Sequence, residues 1–407
     1  MTLIRPFRAL RPAPGRAGEV IAPPYDVLSS AEARVRAEGK PWSFLHISKP
    51  EIDLDDSIDP YDGAVYAKAA ENLKRMVDAG VLIREARPAF YVYRLTWRGH
   101  TQTGIAGVAN VADYRTNRIR KHEHTTPVKE DDRVRQIDTI NAQTGPVMIA
   151  YPPARELDAL IAKAVAAKPD VDVIADDRVR HEMWVVADEA TVAAITRAVD
   201  ALPAMYIADG HHRSAAAARI AATRGGREQS HDYFLAVIFP HHDMTILHYN
   251  RVVRDLKGKS AADFLAALRK SYTVETAPGP VRPQASGELG MYLAGQWHKL
   301  TLKPELIPQH DPIGRLPITL LATNILEPLL GIADQRKDKR IDFVGGGRGL
   351  EELARRVDSG EMAVAFALYP TQMTDLMAVA DANGIMPPKS TWFEPKLADG
   401  MVSHVLD

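Results

Sequence analysis

Short apolar runs alternate with amphipathic stretches in the middle of the chain, between residues 146 and 240. The runs are PVMIAY, MWVVA, AMYIA and FLAVIF, and helical patterns at 154–167, 188–201 and 214–224 lie between them. Continuous apolar runs of this length, next to helical segments, are typical of strands buried in a sheet. Their alternation predicts an α/β unit whose helices cover at least one face of the sheet.

The patterns on both sides of this unit are of the α+β type. On the N-terminal side the sequence predicts a short helix between Ser29 or Ser30 and Gly39, a longer helix over residues 62–79, and a hairpin formed by AFYVYRLTW and TGIAGVANV. On the C-terminal side it predicts helices near 260–271, 317–330, 349–357 and 371–383, and strands at 289–294, 297–303 and 362–368. The fold class is therefore α/β with additional α+β regions.

The length of 407 residues suits two or three domains. No flexible linker and no internal repeat marks a boundary, so the division rests on the change of pattern. We expect an N-terminal α+β region over residues 1–145, an α/β core over 146–255, and a C-terminal α+β region over 256–407.

The composition narrows the possible functions. The 51 basic residues nearly cancel the 52 acidic ones, giving a net charge of -1, so no global positive field gathers nucleic acid or anionic lipid. The absence of cysteine excludes disulfides, thiolate catalysis and cysteine-bound metal. Histidine, with 14 copies, is the remaining soft ligand and the acid or base nearest to neutrality.

The start of the chain, MTLIRPFRALRPAP, places arginines and prolines where a signal peptide needs an apolar stretch. The longest apolar runs are strand-sized, far below the roughly 20 residues that cross a bilayer. We expect a soluble cytoplasmic protein with no membrane partner.

The segment MYIADGHHRSAAAARIA, residues 205–221, carries the clearest chemical signal. An apolar strand is followed by Asp209, Gly210, His211, His212 and Arg213, and an alanine-rich helix begins at once. The free N–H groups of a helix start, the helix dipole and an arginine together favour an anion, and glycine permits close backbone approach. This segment, called the DGHHR loop below (residues 209–213), is predicted to bind phosphate. The histidines could contact transferred oxygens or donate protons.

A second segment, RKHEHTTPVKEDDRVRQIDTINAQTGP at residues 120–146, mixes cations, carboxylates and imidazoles. We interpret it as a charged loop, for which a purely solvated surface is the alternative. On the functional interpretation Glu123 or Glu130 is a general base or a metal ligand, and Lys129 and Arg133 clamp phosphates. His122 and His124 would point to one side if the segment is extended.

Three further features are weaker. His241, His242 and His248 could hold a divalent metal ion. The run IDFVGGGRG has the outline of a phosphate nest but is better explained as a bulged turn. The proline-rich arm IMPPKSTWFEPKLADG carries Lys389 and Lys396, which could reach an anionic ligand.

Several motifs in order along the chain resemble the bacterial domain-of-unknown-function family 1015, often labelled as related to SpoOJ/ParB. They are IRPFRAL at 4–10, APPYDV at 22–27, KHEHT with the downstream KEDDR, ADGHHR at 208–213 and MPPKSTWFEPKL at 386–397. The DGHHR loop is also similar to the phosphate-binding loop of the ParB/sulfiredoxin superfamily, which includes free L-serine kinases. The resemblance implies a ParB/sulfiredoxin-like core within residues 146–255.

The resemblance also implies roles for individual residues. Asp209, His211, His212 and Arg213 would form the phosphate and catalytic loop. Glu123 is the candidate for the catalytic glutamate of the serine kinases, with Glu130 and Glu182 as further candidates. Mg²⁺ would bridge the oxygens of the phosphoryl donor, and any other metal is left open.

These observations favour a small-molecule phosphotransferase, most specifically a kinase that makes O-phosphoserine from free L-serine. Pyrophosphate, ATP or ADP is the donor, and Glu123 or Asp209 is the base. A nucleotide-binding chromosome-partition accessory without turnover is one alternative, and a metal-dependent hydrolase built on His241, His242 and His248 is another. The chain shows no convincing helix-turn-helix, so DNA is not an expected partner. The oligomeric state stays open.

Overall fold

The computed structural model describes residues 2–226 and 228–407. They form a mixed α/β protein with two compact units, which confirms the predicted fold class. The first unit comprises Met1–Met244 and Pro395–Asp407, and the second comprises Thr245–Glu394. In the described part of the chain, no helix combines the length and the apolar character that a membrane crossing requires.

A large mixed sheet is the centre of the first unit. Its nine strands follow the order β6-β11-β8-β12-β5-β4-β10-β9, and β1 pairs with β5. The strands of the unit are β1 Ile4–Arg5, β2 Leu10–Pro12, β3 Leu82–Arg84, β4 Phe90–Trp97, β5 His100–Asn110, β6 Ile119–Arg120, β7 Ala142–Gln143, β8 Val147–Tyr151, β9 Val171–Ile174, β10 Arg180–Val186, β11 Met205–Asp209, β12 Tyr233–Pro240 and β21 His404–Val405. Because β4 and β5 lie in the same sheet as β8, β11 and β12, the boundary expected near residue 145 falls inside one sheet.

Helices pack on this sheet and on one another. They are α1 Ala17–Val20, α2 Ser30–Ala37, α3 Leu45–Ser48, α4 Gly63–Asp78, α5 Val111–Arg115, α6 Pro127–Ile140, α7 Arg155–Ala164, α8 Glu189–Asp200 and α9 His211–Arg224. The strands predicted at PVMIAY, MWVVA, AMYIA and FLAVIF are β8, β10, β11 and β12, and the helices predicted between them are α7, α8 and α9.

Local sequence signals explain several of these elements. The hairpin of β4 and β5 turns at Arg98 and Gly99, which both have positive φ, as a tight two-residue hairpin turn requires. Helix α4 begins after Asp62, whose side chain accepts a hydrogen bond from the Ala64 N–H.

Helix α2 shows a capping box. The Ser29 hydroxyl accepts a hydrogen bond from the Glu32 N–H at 3.2 Å, and the Glu32 carboxylate accepts one from the Ser29 N–H at 2.9 Å. We expect Ser29→Ala to lower the free energy of unfolding by about 1 kcal/mol, measured by urea denaturation. Ser29→Thr retains the capping oxygen and is expected to recover most of the loss. An equal loss in both variants would contradict the capping explanation.

The charged segment after residue 120 is not a loop throughout, which corrects the prediction. Residues 127–140 form α6, with Pro127 at its first turn and Asn141 in the left-handed conformation after its end. Of its fourteen residues, the buried ones are Gln136, Ile137 and Ile140. So narrow an apolar stripe gives a weak helical signal in the sequence.

Helix α6 packs against α4 and α9. Ile137 of α6, Ala216 and Ile220 of α9, and Leu406 from the C-terminal segment form a small buried cluster. This contact holds the start of α6, which carries Lys129 and Arg133, beside the start of α9.

The C-terminal segment, Pro395–Asp407, belongs to the first unit. Its backbone bonds reciprocally with Ala22 through Asp399 and with Leu10 through Ser403, and β21 pairs with β7. Residues from both ends of the chain are thereby part of one structure.

The second unit is built on a six-stranded sheet in the order β15-β17-β16-β19-β14-β18. Its strands are β13 Thr245–Ile246, β14 Tyr249–Val253, β15 Tyr272–Ala277, β16 Glu288–Leu293, β17 Gln296–Leu302, β18 Ile341–Gly345, β19 Val364–Leu368 and β20 Phe393–Glu394. Its helices are α10 Ala261–Leu268, α11 Pro317–Leu321, which continues as a π-helix over Ala322–Leu326, α12 Glu351–Asp358 and α13 Met373–Asp381. The predicted helices of this region correspond to α10, α11 with its π-helical continuation, α12 and α13, and the predicted strands correspond to β16, β17 and β19. Strands β13, β14, β15 and β20 were not predicted.

Candidate functional site

The DGHHR loop joins β11 to α9 within one residue. Asp209 ends the strand, Gly210 has a φ of 99°, and the helix begins at His211. A Cβ at Gly210 would lie 3.1 Å from the Arg213 guanidinium carbon and 3.3 Å from the Val147 Cα. The turn therefore needs glycine both for its conformation and for space. Gly210 offers no side chain to cap the helix, and α9 begins without a side-chain cap hydrogen bond. An uncapped helix start is a favourable place for an anion.

Arg213 holds the DGHHR loop in place through hydrogen bonds. Its side chain is buried, with the residue 8% exposed. Nη1 donates to the Pro146 carbonyl and Nη2 donates to the Asp209 carboxylate at 3.0 Å. Burial opposes the charge of Arg213, but the carboxylates of Asp209 and Asp26 outweigh it and raise the pKa. Arg213 is therefore a buried cation that holds Asp209 in place.

Asp209 is held as a carboxylate. Burial by itself raises the pKa of this group, but Lys396, Arg213 and His211 together hold it well below the ordinary value. Lys396 Nζ lies 3.7 Å from Asp209 Oδ2. The strand end thus presents a negative charge flanked by two cations.

His122 and His211 form a buried pair beside the loop. Their ring centroids are 4.5 Å apart at 87°, and the two residues are 2% and 3% exposed. Burial lowers the pKa of His122 to about 4 and, together with the neighbouring His122, lowers that of His211 well below its ordinary value. Glu123 Oε2 lies 3.8 Å from His211 Nδ1, so three predicted site residues meet here.

His212 faces the other way, toward α6. Its Nε2 accepts a hydrogen bond from the Thr126 N–H at 3.1 Å. Burial and the nearby charge of Lys129 lower the pKa of His212. Neutral imidazole is therefore favoured at this position, and Lys129 supplies the positive charge.

An open cleft of about 390 Å³ begins at His212, a volume in the range of small-molecule sites. We call it the Tyr25 cleft. The charged and aromatic groups that line it include Tyr25, Asp26, Lys49, Glu51, Lys129 and Arg133. Arg133 stacks on the Tyr25 ring, 3.9 Å from its centroid, and donates to Asp132 at 2.6 Å. The predicted clamps Lys129 and Arg133 thus lie in the same cleft as His212.

Asp399 was not anticipated from the sequence, although it lies near the end of the proline-rich arm. It is 1% exposed, and its Oδ2 accepts a hydrogen bond from the Tyr25 N–H at 3.2 Å. Burial raises the pKa of Asp399 to about 7, although the positive charge of Arg213 acts to lower it. Together with Arg213, Arg133 and Tyr25 it lines a small cavity of about 30 Å³.

Tyr25 and Asp26 were also missed as site residues. They belong to the APPYDV motif, which the family resemblance singled out, so that motif was the available signal. Of the two lysines in the C-terminal arm, the structure brings Lys396 to the loop. Lys389 belongs to the second unit, where its Nζ lies 5.8 Å from the Tyr249 ring centroid.

The other two glutamates are paired with residues outside the loop, although the charge of Glu130 acts to raise the pKa of His212. Glu130 is 3.4 Å from Arg219 and accepts from the Thr125 hydroxyl. Glu182 lies on β10, five strands away from β11, beside Arg94 and Arg180. Glu123 is the remaining candidate among the three.

Two expectations about histidines are wrong. His122 is buried and His124 is exposed, because the segment after β6 is not extended, so they do not share one side. No group of closely placed ligand atoms in the described part of the chain includes His241, His242 or His248. Within residues 2–226 and 228–407, the three side chains with closely placed metal-ligand atoms are instead His122, Glu123 and His211.

Comparison with solved structures returns distant similarities. A conserved hypothetical protein from Pyrococcus furiosus shares 12% identity at a TM-score of 0.35, over 72% of this chain and 93% of that one. A free serine kinase in complex with AMP shares 12% identity at a TM-score of 0.34, over 70% of this chain and 86% of that one. SbnI from Staphylococcus aureus with a C-terminal truncation shares 10% identity at a TM-score of 0.39, over 73% of this chain and 86% of that one. Similarities of this size support no functional conclusion.

The comparison with curated proteins returned no match. A family model described as "Protein of unknown function (DUF1015)" matches residues 4–320. This range contains the APPYDV, KHEHT and ADGHHR motifs and most of the first unit. The chain therefore belongs to the DUF1015 family.

Proposed function

We propose that this protein is a small-molecule phosphotransferase, most specifically a free L-serine kinase that forms O-phosphoserine. The observation that carries the proposal is the position of the DGHHR loop. A glycine turn opens the first turn of a fourteen-residue helix, and His212 at that turn lines the Tyr25 cleft. An anion site beside a cleft for a small molecule is the arrangement that phosphoryl transfer needs.

The donor phosphates are assigned to the DGHHR loop. The free N–H groups at the start of α9 and the helix dipole stabilise negative charge. Lys129 and Arg133 add positive charge from α6, which packs against α9. Pyrophosphate, ATP and ADP share the terminal phosphoryl group that such a site recognises.

The acceptor is assigned to the Tyr25 cleft because its walls carry both charges. The cleft is lined by positive side chains and by negative ones. The positive side chains include Lys49, Lys129 and Arg133, and the negative ones include Asp26 and Glu51. A free amino acid is a zwitterion, so a cleft with both signs suits it better than a purely anionic or apolar compound. L-Serine adds the hydroxyl group that accepts phosphate.

In the proposed reaction the serine hydroxyl oxygen attacks the terminal phosphorus of the donor. The new O–P bond forms as the bond to the leaving group breaks, and that group is phosphate from pyrophosphate, ADP from ATP, or AMP from ADP. The hydroxyl proton passes to a carboxylate, for which Glu123 and Asp209 are the candidates at the loop. The leaving group departs with the electron pair of the broken bond.

Mg²⁺ belongs to the proposal as the partner of the donor. It binds one or two carboxylates and several phosphate oxygens in enzymes of this type. Asp209 is paired with both Arg213 and Lys396. Asp26 is exposed in the Tyr25 cleft and lies 3.9 Å from Arg213, a longer contact, so it is the better-suited carboxylate. When bound, the ion would neutralise charge on the donor phosphates.

The test is phosphorus NMR on the full-length protein with Mg²⁺, L-serine and one donor at a time: pyrophosphate, ATP or ADP. We expect an O-phosphoserine resonance with at least one donor. Omission of L-serine is the control for simple hydrolysis of the donor. The absence of phosphoserine with every donor would reject serine as the acceptor. Nucleotide binding without any turnover would favour the partition-accessory alternative.

A further inference from the structure

The side chains of His122, Glu123 and His211, the last of which belongs to the DGHHR loop, lie close together. One ligand atom from each lies within 4.8 Å of the other two. The two imidazoles are buried and edge-on, 4.5 Å between centroids, while Glu123 is half exposed. The cluster therefore has a buried nitrogen side and an accessible oxygen side.

The hydrogen bonds of His122 leave one ring nitrogen unused. Its Nδ1 is buried and has no hydrogen-bond partner among the described residues. The ring does bond to the Ile207 backbone, so that bond uses Nε2. Metal-binding histidines commonly donate the second ring N–H to a backbone carbonyl, which fixes the lone pair on the ligating nitrogen. An unpaired buried nitrogen is otherwise a cost to the fold.

His211 is oriented in a complementary way. Its Nδ1 faces Glu123 at 3.8 Å, whereas Nε2 receives the His122 backbone N–H at 3.4 Å. A neutral imidazole carries its proton on one nitrogen at a time. Ligation through Nδ1 places the proton on Nε2 and gives up the 3.4 Å contact, which is long for a hydrogen bond.

We propose that His122, Glu123 and His211 form a binding site for a divalent first-row transition metal ion, best suited to zinc. Two imidazole nitrogens and one carboxylate oxygen are ligands that zinc prefers, whereas Mg²⁺ prefers an all-oxygen set. Three protein ligands leave a fourth position open. Since His211 is part of the DGHHR loop, that position suits an oxygen of a phosphate or carboxylate ligand.

This proposal goes beyond phosphoryl transfer, because metal binding needs neither donor nor acceptor. The full-length protein without a histidine tag is stripped with a chelator, dialysed against Zn²⁺ alone, and its zinc content measured by mass spectrometry. We expect one zinc ion per chain. Substitution with Co²⁺ should give the visible absorption of a low-coordinate cobalt site. Substoichiometric zinc in the wild-type protein would overturn the proposal.

Two variants test the ligand set, one at the accessible carboxylate of Glu123 and one at the buried ring of His122. Glu123→Gln is expected to weaken zinc binding by at least about tenfold, whereas Glu130→Gln, which alters the carboxylate paired with Arg219, is expected to bind zinc as the wild type does. Equal affinity in both variants would overturn the assignment of Glu123. His122→Gln, checked for folding by circular dichroism, is expected to lose stoichiometric zinc. Because no substrate is present, a failure here is distinct from a failure of the kinase assay.

Discussion

Asp209→Asn is expected to lower the rate of phosphoryl transfer by at least about 100-fold, since one group that stabilises a transition state typically contributes this much. The substitution keeps the size of the side chain and an acceptor for Arg213, but it removes the charge. That charge is held in the folded protein by Lys396, Arg213 and His211 despite burial. The measurement is the initial rate of O-phosphoserine formation at saturating L-serine and donor.

Asp138→Asn is the matched control for this variant. It makes the same chemical change on α6, where Asp138 is exposed and bonds to Arg224 at 2.9 Å. We expect its rate to stay within about twofold of the wild type, because surface substitutions away from a site have small effects. Full activity in Asp209→Asn, with the fold intact by circular dichroism, would show that the DGHHR loop is not the site of transfer.

Asp399→Asn is expected to remove a pH-dependent loss of stability. In the folded protein burial raises the pKa of Asp399 from 3.8 to about 7, whereas in the unfolded chain the group titrates near its ordinary value. The folded state therefore holds the proton more tightly than the unfolded state between these values. The free energy of unfolding therefore falls as the pH rises from about 4 to 7. Above pH 7 the contribution of Asp399 is lost completely. A shift of this size corresponds to roughly 4 kcal/mol.

The measurement compares the free energy of unfolding of wild type and Asp399→Asn in urea at pH 5 and at pH 8.5. Asparagine carries no charge at either pH and can still accept the Tyr25 N–H. We expect the difference in the free energy of unfolding, variant minus wild type, to rise by roughly 3 kcal/mol from pH 5 to pH 8.5, because part of the loss has already occurred at pH 5. Titrating groups that do not interact with Asp399 cancel in this double difference. A difference that does not change with pH would mean that Asp399 is already ionised at pH 5.

Much of the fold could be predicted because its signals are local. The strand at AMYIA, the turn at Gly210 and the helix after it are encoded within seventeen consecutive residues. The capped helix α2 and the Arg98–Gly99 hairpin are similar cases. Helix α6 was missed because its charged residues mask a narrow buried stripe, which becomes recognisable only when α4 and α9 pack against it.

The candidate site could be predicted in part. The loop residues were identified from residue type and spacing, and Glu123 was preferred to Glu130 and Glu182 because of the family resemblance. The structure places Glu123 beside His211 of the loop. The order of the strands in the sheet, which no local pattern encodes, decides that Glu182 lies five strands from the loop. The same holds for His124, because the path of the chain after β6 determines which histidine is buried.

The sequence by itself determined most of the elements of this protein, the strand-turn-helix arrangement of the DGHHR loop and the absence of cysteine chemistry, because each depends on residue type or on residues close together in the chain. Only the tertiary structure decided which distant residues complete the site. Tyr25 and Asp399 are 374 residues apart and hydrogen-bonded, and Lys396 reaches Asp209 across the same segment. Such contacts depend on how the sheet, α6 and the C-terminal segment pack, and packing is a property of the whole unit rather than of any one stretch of sequence.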